Sequence, residues 1–215
     1  MINPEQFARA LFKGSKEEVK KLISEALDRG EKPEEIVKEG LVKAMDQIGL
    51  KFKNEEIYIP EVILAARAMH AGLDVLKPTL IETGSSRRAK VVLGTVRHDI
   101  HDIGKNLVGM MLEGGGFEVI DIGTDAPAER FVKAVKDHEA EIVGISALLT
   151  STMVQVKVTV DAVKAAALSK QVKIIVGGAP VTEEFARQIG ADGYAPEAAS
   201  AVEKIRDLLG QFSNE

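Results

Sequence analysis

The stretch KVVLGTVRHDIHDIGKNLV, residues 90–108, decides the fold. Its opening, Lys90 to Val96, is a short β-branched run, apolar at successive positions and therefore on both faces of a strand. Its close, from Ile103 onward, reads as a helix start. Between them stand His98, Asp99, His101 and Asp102, two imidazoles and two carboxylates within five positions. A strand buried on both faces that passes through a short loop into a helix is the repeating unit of a parallel sheet.

The unit recurs. FEVIDI (117–122), EIVGIS (141–146), KIIVGG (173–178) and the weaker GYA (193–195) are each followed by a helix-length segment. Fivefold β-then-α alternation predicts an α/β fold, a doubly wound five-stranded parallel sheet of Rossmann-like or flavodoxin-like type with strand order 2-1-3-4-5. Ligands of such sheets bind at the carboxyl ends of strands 1 and 3, where the winding reverses. That places a site at residues 96–106 and at SALLTST, 146–152.

Upstream the period changes. Val19, Leu22, Ile23, Ala26 and Leu27, then Ile36, Val37, Leu41, Ala44, Met45 and Ile48, recur at three and four, which predicts helix after helix. Breaks fall at Gly14-Ser15, at Gly30 to Pro33, and in GLKFKNEEIYIP (49–60), whose Pro60 suits the first turn of a helix running toward Leu76. Four or five helices make an N-terminal bundle over residues 1–84. ETGSSRRAK then loses periodicity, so a linker is expected at 85–89 and a second domain over 90–215.

Composition narrows the chemistry. The chain has 215 residues, 45% hydrophobic and 28% charged, the balance of an ordinary globular protein. It has no cysteine, which removes disulfides, thiolate metal sites, iron–sulfur clusters and a cysteine nucleophile. A net charge of −5 with only short basic pairs such as Arg87-Arg88 gives no footprint for nucleic acid. No run approaches the roughly 18 apolar residues of a membrane helix, and the start has no secretory pattern, so a cytoplasmic protein with no membrane association is expected.

The loop after strand 1 has a single glycine, Gly104, and lacks both the glycine pattern of a dinucleotide site and the Lys-Ser or Lys-Thr of a phosphate loop. A phosphate-receiver domain is excluded by Ser146 and Ala195, which stand where it needs an Asp and a Lys. Two readings of the cluster remain. His98, Asp99, His101 and Asp102 have the ligand types of a hydrolytic zinc, manganese or iron site, although His70 and His138 fall elsewhere. In the plainer reading, Asp102 caps the following helix and the histidines are exposed loop residues.

The spacing of Asp99 and His101 carries more information. Residues i and i+2 of a turning segment project to one side, so the Asp99 carboxylate can accept a proton from one imidazole nitrogen while the other faces outward. Such a partner fixes a ligating histidine's tautomer, and its loss costs about 10–100-fold in affinity or activity. One imidazole anchors a free ion poorly. It is a good axial ligand for a metal already held in a macrocycle.

Asp99-x-His101-x-x-Gly104, SALLT from Ser146 and GGA from Gly177, in order and at these strands, resemble the cobalamin-binding domains of methyltransferase corrinoid proteins and of cobalamin-dependent methionine synthase. MDQIGLKFKNEEIYIPEVILAARAMHAGLDVLKP resembles the helical cap that precedes that domain, so the resemblance covers nearly the whole chain.

The resemblance implies cobalamin, as methylcobalamin or another corrinoid, bound with its own base displaced. His101 is then the axial ligand to cobalt, Asp99 its hydrogen-bond partner, and Thr152 the hydroxyl completing the triad, where methionine synthase has serine. Asp102, Ile103, Gly104, Ser146, Leu148, Thr150, Gly177 and Gly178 are placed against the cofactor, and Phe52, Ile59 and Val62 over the corrin's upper face. Bundle core is the alternative for those last three. The implied role is a methyl carrier rather than a complete enzyme. It serves a substrate-specific methyltransferase and an acceptor methyltransferase using tetrahydrofolate or a thiol, with a reductive activator to rescue oxidised cobalt. Two other roles share the tail-binding motif: the small subunit of a cobalamin-dependent isomerase and a cobalamin-sensing regulator. The first pairs the motif with a substrate barrel, not a helical cap. The second needs an output domain, and no basic helix-turn-helix is present in the sequence.

Overall fold

A computed structural model describes residues 2–82, 89–166 and 172–210. The chain divides into two compact units, Met1–Arg88 with Glu113–Gly116, and Ala89–Leu112 with Phe117–Glu215. The linker expected at 85–89 lies, except for Ala89, outside the described residues.

The first unit is helical. Helix α1 (Pro4–Phe12) starts with Pro4 in its first turn behind Asn3, whose side chain accepts from the Glu5 amide. Helix α2 (Lys16–Asp28) is capped by Ser15, whose hydroxyl accepts from the Glu18 amide. Helix α3 (Pro33–Glu35) runs through a π-helical stretch, Ile36–Val42, into α4 (Lys43–Lys53). The three- and four-residue spacing correctly marks this path as helical but contains no sign of the wider π turns. Helix α5 (Ile59–Glu82) has Pro60 in its first turn as expected, yet continues beyond Leu76 through Pro78. Proline removes one N–H and strains one turn, and the helix absorbs this near its end. Phe7, Leu11, Val19, Ile23, Leu41, Met45 and Met69 are buried. A Cβ at Gly72 would fall 2.8 Å from both Ile23 and Val19, so glycine there lets α5 lie close against α2.

The second unit contains the sheet. Its strands are β1 (Lys90–Thr95), β2 (Glu118–Asp121), β3 (Ile142–Ser146), β4 (Lys173–Gly177) and β5 (Gly193–Ala195), all parallel, in the order β2-β1-β3-β4-β5. Helices α6 (Ile103–Gly114), α7 (Ala128–His138), α8 (Met153–Ala165), α9 (Glu183–Ile189) and α10 (Ala198–Leu208) connect and follow them. This is the doubly wound order expected from the sequence. Central β1 is buried at every residue from Val91 to Thr95, while edge strand β2 is only partly covered, which is why its run reads more polar. Val92, Val143, Ile145, Val156, Val160, Ile174 and Val176 share one core with Phe131. Gly94 admits Ile122 and Phe131 onto β1: an added Cβ would lie 2.6 Å from Ile122 and 2.8 Å from Phe131.

Candidate functional site

Register brings the two expected loops together. Thr95 of β1 is paired with Ser146 of β3, and Ser146 with Gly177 of β4, so the chain leaves all three strands at one edge. The Val96 amide extends the ladder by donating to the Ser146 carbonyl at 3.0 Å. Residues 97–102 then cross the edge without regular structure before α6 begins.

Asp99 is the centre of this crossing. Its side chain is fully buried, yet both oxygens are occupied. Oδ1 lies 2.7 Å from His101 Nδ1 and accepts the His101 amide at 3.1 Å. Oδ2 accepts the amides of Leu148 and Leu149, at 2.7 and 3.3 Å, and the Thr152 hydroxyl at 2.8 Å. Burial by itself pushes this carboxyl up. The Leu148 amide, the His101 ring, the Thr152 hydroxyl and the His101 amide outweigh it and hold Asp99 down at about 2.

An ionised carboxylate can only accept, so the proton of the short Asp99–His101 bond sits on Nδ1. In that tautomer the ring's lone pair is on Nε2. The imidazole is 44% exposed while its partner is not exposed at all. A half-open nitrogen base held by a buried anion is suited to ligating one position of a metal. Among the described residues, no group of three or more His, Asp or Glu is arranged to hold a metal ion.

The remaining predicted residues sort clearly. Thr152 is buried in the short 3-10 turn Thr150–Thr152, and its hydroxyl also lies 2.9 Å from the Leu149 carbonyl. His101, Asp99 and Thr152 therefore form one connected set. Asp102 stands before α6, where its carbonyl accepts the Asn106 amide, but its carboxylate takes the Asn106 side-chain amide at 3.1 Å rather than a free backbone N–H. The expected side-chain cap is therefore replaced by a side-chain pair, with Asp102 held by Asn106 one turn on. Gly104 is exposed, and an added Cβ would meet nothing within 4 Å. Nothing among the described residues requires glycine there, which leaves room for a close-lying ligand.

Gly177 and Gly178 differ. A Cβ on Gly177 would sit 2.7 Å from the Ala195 carbonyl oxygen, and one on Gly178, at φ 118°, only 1.9 Å from that of Ala147. Their lack of a side chain is required by the chain's own backbone, whatever binds beside them. Ser146 is half-buried at the strand end, and Leu148 and Thr150 are exposed on the loop beyond it. Ile100 and Ile103, at 76% and 73%, flank His101 as exposed apolar side chains, an uncommon composition for a solvent-facing loop. In the helical unit, Ile59 is exposed and Phe52 half-buried, whereas Val62 is fully buried, as its bundle-core alternative requires.

Sequence reasoning missed several supports. The Thr95 hydroxyl, buried at the end of β1, donates to the His101 carbonyl at 2.9 Å. Lys105 is buried, pairs with Asp121 at the end of β2, and donates to Asn106 Oδ1 at 2.6 Å. Asp125 in the β2–α7 connection accepts the His98 amide at 2.7 Å. None has a local signature, because each pairing joins distant strands or reads as an ordinary turn or helix residue.

A carboxylate-held imidazole thus stands at the reversal point of a doubly wound sheet, beside an uncovered glycine and exposed apolar neighbours, in the place where such sheets bind their ligands. The chain belongs to the B12 binding domain family, whose description matches residues 89–205, with a second match of the same description over residues 4–77. Its cofactor is a corrinoid, cobalamin or a variant of it. It is 40% identical over 210 residues to a corrinoid protein of Desulfitobacterium hafniense, covering 96% of this chain and 97% of that one. It is also 40% identical over 207 residues to the dimethylamine corrinoid protein of Methanosarcina barkeri, covering 95% and 96%. A cobalamin-binding protein from D. hafniense DCB-2 superimposes with a TM-score of 0.80 at 34% identity, over 96% of this chain and 98% of that one. A chain of the methanol:cobalamin methyltransferase complex of M. barkeri gives 0.82 at 28% identity, over 98% and 80%.

Proposed function

We propose that this protein is a methyl carrier, taking a methyl group from a substrate-specific methyltransferase and delivering it to a second methyltransferase whose acceptor is tetrahydrofolate or a thiol. The observation that carries the reading is the buried, ionised Asp99 bonded to Nδ1 of a half-exposed His101. The corrinoid supplies a cobalt that accepts and releases a methyl group. His101 Nε2 would hold the cobalt, in place of the cofactor's own base. Gly104, Ser146, Leu148 and Thr150 line the path of the nucleotide tail, beside Gly177 and Gly178. Ile103 and Ile100, exposed beside His101, would supply apolar contact to the corrinoid, and Asp102 steadies the first turn of α6 through Asn106.

Thr152 and the loop amides keep Asp99 ionised, so Asp99 orients His101 without taking its proton. Phe52, Ile59 and Val62 would shield the bound cofactor and exclude water between transfers. Oxidised cofactor is returned to service by a reductive activator. The relationship to a dimethylamine corrinoid protein favours a methylated amine as the donor's substrate.

The test is transfer itself. The protein, loaded with a reduced corrinoid under anaerobic conditions, is mixed with the methyltransferase that co-purifies with it and with monomethylamine, dimethylamine, trimethylamine, betaine or methanol in turn. Stoichiometric methylation of the bound corrinoid by an amine is the expected result. A protein that binds corrinoid but is methylated by none of these partners and substrates contradicts the carrier reading.

A further inference from the structure

We infer that Asp125 is a positioning residue for the His101 ligand, acting through the backbone of His98 and Asp99. The inference rests on His101 being the lower ligand. Two reciprocal bonds make the connection: Asp125 Oδ1 accepts the His98 amide at 2.7 Å, and the Asp125 amide donates to the Asp99 carbonyl at 2.9 Å. The two peptides that flank the His98–Asp99 pair, Arg97–His98 and Asp99–Ile100, are therefore both held by one residue.

The backbone at both ends of this clasp is unusual. His98 has φ 65° and Asp125 φ 48°, the left-handed region that non-glycine residues seldom occupy. His98 must turn that way for the chain to leave β1 and aim Asp99 inward under the sheet edge. Such a conformation persists only where its surroundings over-determine it. The surroundings here are the β2–α7 connection. Val96 bridges Ala126 in parallel, the Ala126 amide donates to the Thr95 carbonyl at 3.0 Å, and the Thr95 amide donates to the Gly123 carbonyl at 2.9 Å. Asp125 thus stands on a segment already fixed to β1, and transmits that fixed position to the Asp99 backbone. The Asp99 carboxylate passes it on to His101 Nδ1. Asp125 is itself exposed, so removing its carboxylate opens no cavity.

Two substitutions separate the contributions. Asp125→Gly keeps the left-handed backbone and the amide but removes the acceptor, while Asp125→Asn keeps an acceptor oxygen and tolerates the same φ. In the cofactor-free protein, the Nδ1–H resonance of His101 in 15N-edited NMR reports whether its bond to Asp99 is held. We expect it to broaden or vanish in Asp125→Gly and to persist in Asp125→Asn. With methylcobalamin, Asp125→Gly should lose histidine-ligated absorption and bind about tenfold more weakly, with Asp125→Asn close to the parent. His101→Ala supplies the fully unligated reference. If the parent itself shows no histidine-ligated spectrum, the lower-ligand reading fails. If the parent does and Asp125→Gly matches it in resonance, spectrum and affinity, the Asp125 proposal alone fails. A lower Tm in Asp125→Gly with a parental resonance and spectrum also overturns it, since that is a merely structural role. Equal losses in the Asn and Gly variants overturn it as well.

Discussion

Asp99 Oδ1 and His101 Nδ1 are 2.7 Å apart, and the two residues differ completely in environment: the carboxylate is sealed and the imidazole is half open. This asymmetry gives a pH signature. The Asp99 carboxyl is held at about 2 in the folded protein, below the ordinary 3.8. Because the folded value is depressed, the stability it contributes is complete above about pH 4 and is lost as pH falls toward 2. The contribution at neutral pH is on the order of 2 kcal/mol. Urea unfolding of the parent and of Asp99→Asn at pH 7, 5, 4, 3 and 2 should show a gap that narrows only below pH 4. A gap of constant size across that range contradicts the assignment.

Asn at position 99 also introduces a mismatch. All five groups around the carboxylate donate, so an NH2 group at either oxygen position faces a donor. The variant should be destabilised by about 1–3 kcal/mol at neutral pH, and corrinoid affinity should fall by about 10–100-fold. Denaturant titration and absorption titration measure the two losses.

Thr152 presents one buried hydroxyl to Asp99 Oδ2. Thr152→Val keeps the shape and removes the donor, and should cost about 1 kcal/mol in unfolding free energy. Thr152→Ser retains the hydroxyl and should stay within a few-fold of the parent in corrinoid binding. Reversal of that order, with the serine variant weaker than the valine, would show that the methyl group and not the hydroxyl matters.

The glycines of the site should separate in the same way. Gly178→Ala drives a Cβ into the Ala147 carbonyl at an unfavourable φ, so the purified variant should show a much lower Tm or fail to accumulate. Gly104→Ala meets open space on a helical turn, so its Tm should equal or exceed the parent's while corrinoid binding weakens. Parental affinity in Gly104→Ala would remove Gly104 from the cofactor site.

Much of this was legible in the sequence. Four β-branched runs and the weaker GYA, with helix-length crossovers, mark the parallel sheet, because burial of both faces leaves a continuous apolar run in each central strand, and the order followed from the usual winding of such five-stranded folds. The Asp99–His101 spacing was legible for a similar reason, since two positions of a turning chain share a side. The Asp125 clasp was not. Asp in GTDAP reads as an ordinary turn residue, and its partner His98 lies 27 positions away. The π turns at Ile36–Val42 also leave the apolar spacing almost unchanged. Gly177 and Gly178 were found as glycines of the site, but the backbone carbonyls that demand them come from the β3 loop and β5, visible only once the sheet is assembled.

Phe52 and Ile59 are proposed to shield the bound cofactor. Phe52→Ala should then hasten photolysis and oxidation of bound methylcobalamin, with little change in binding. Identical decay rates in the parent and variant, read from the absorption spectrum under fixed illumination, would return Phe52 to ordinary helix packing.

The central claim, that His101 takes the lower axial position of a corrinoid, is tested most directly by the absorption spectrum of the methylcobalamin-loaded protein beside that of His101→Ala. The parent should show the displaced-base, histidine-ligated spectrum, and His101→Ala should show the displaced-base spectrum without histidine ligation and bind more weakly. An unchanged spectrum and affinity in His101→Ala would contradict the account.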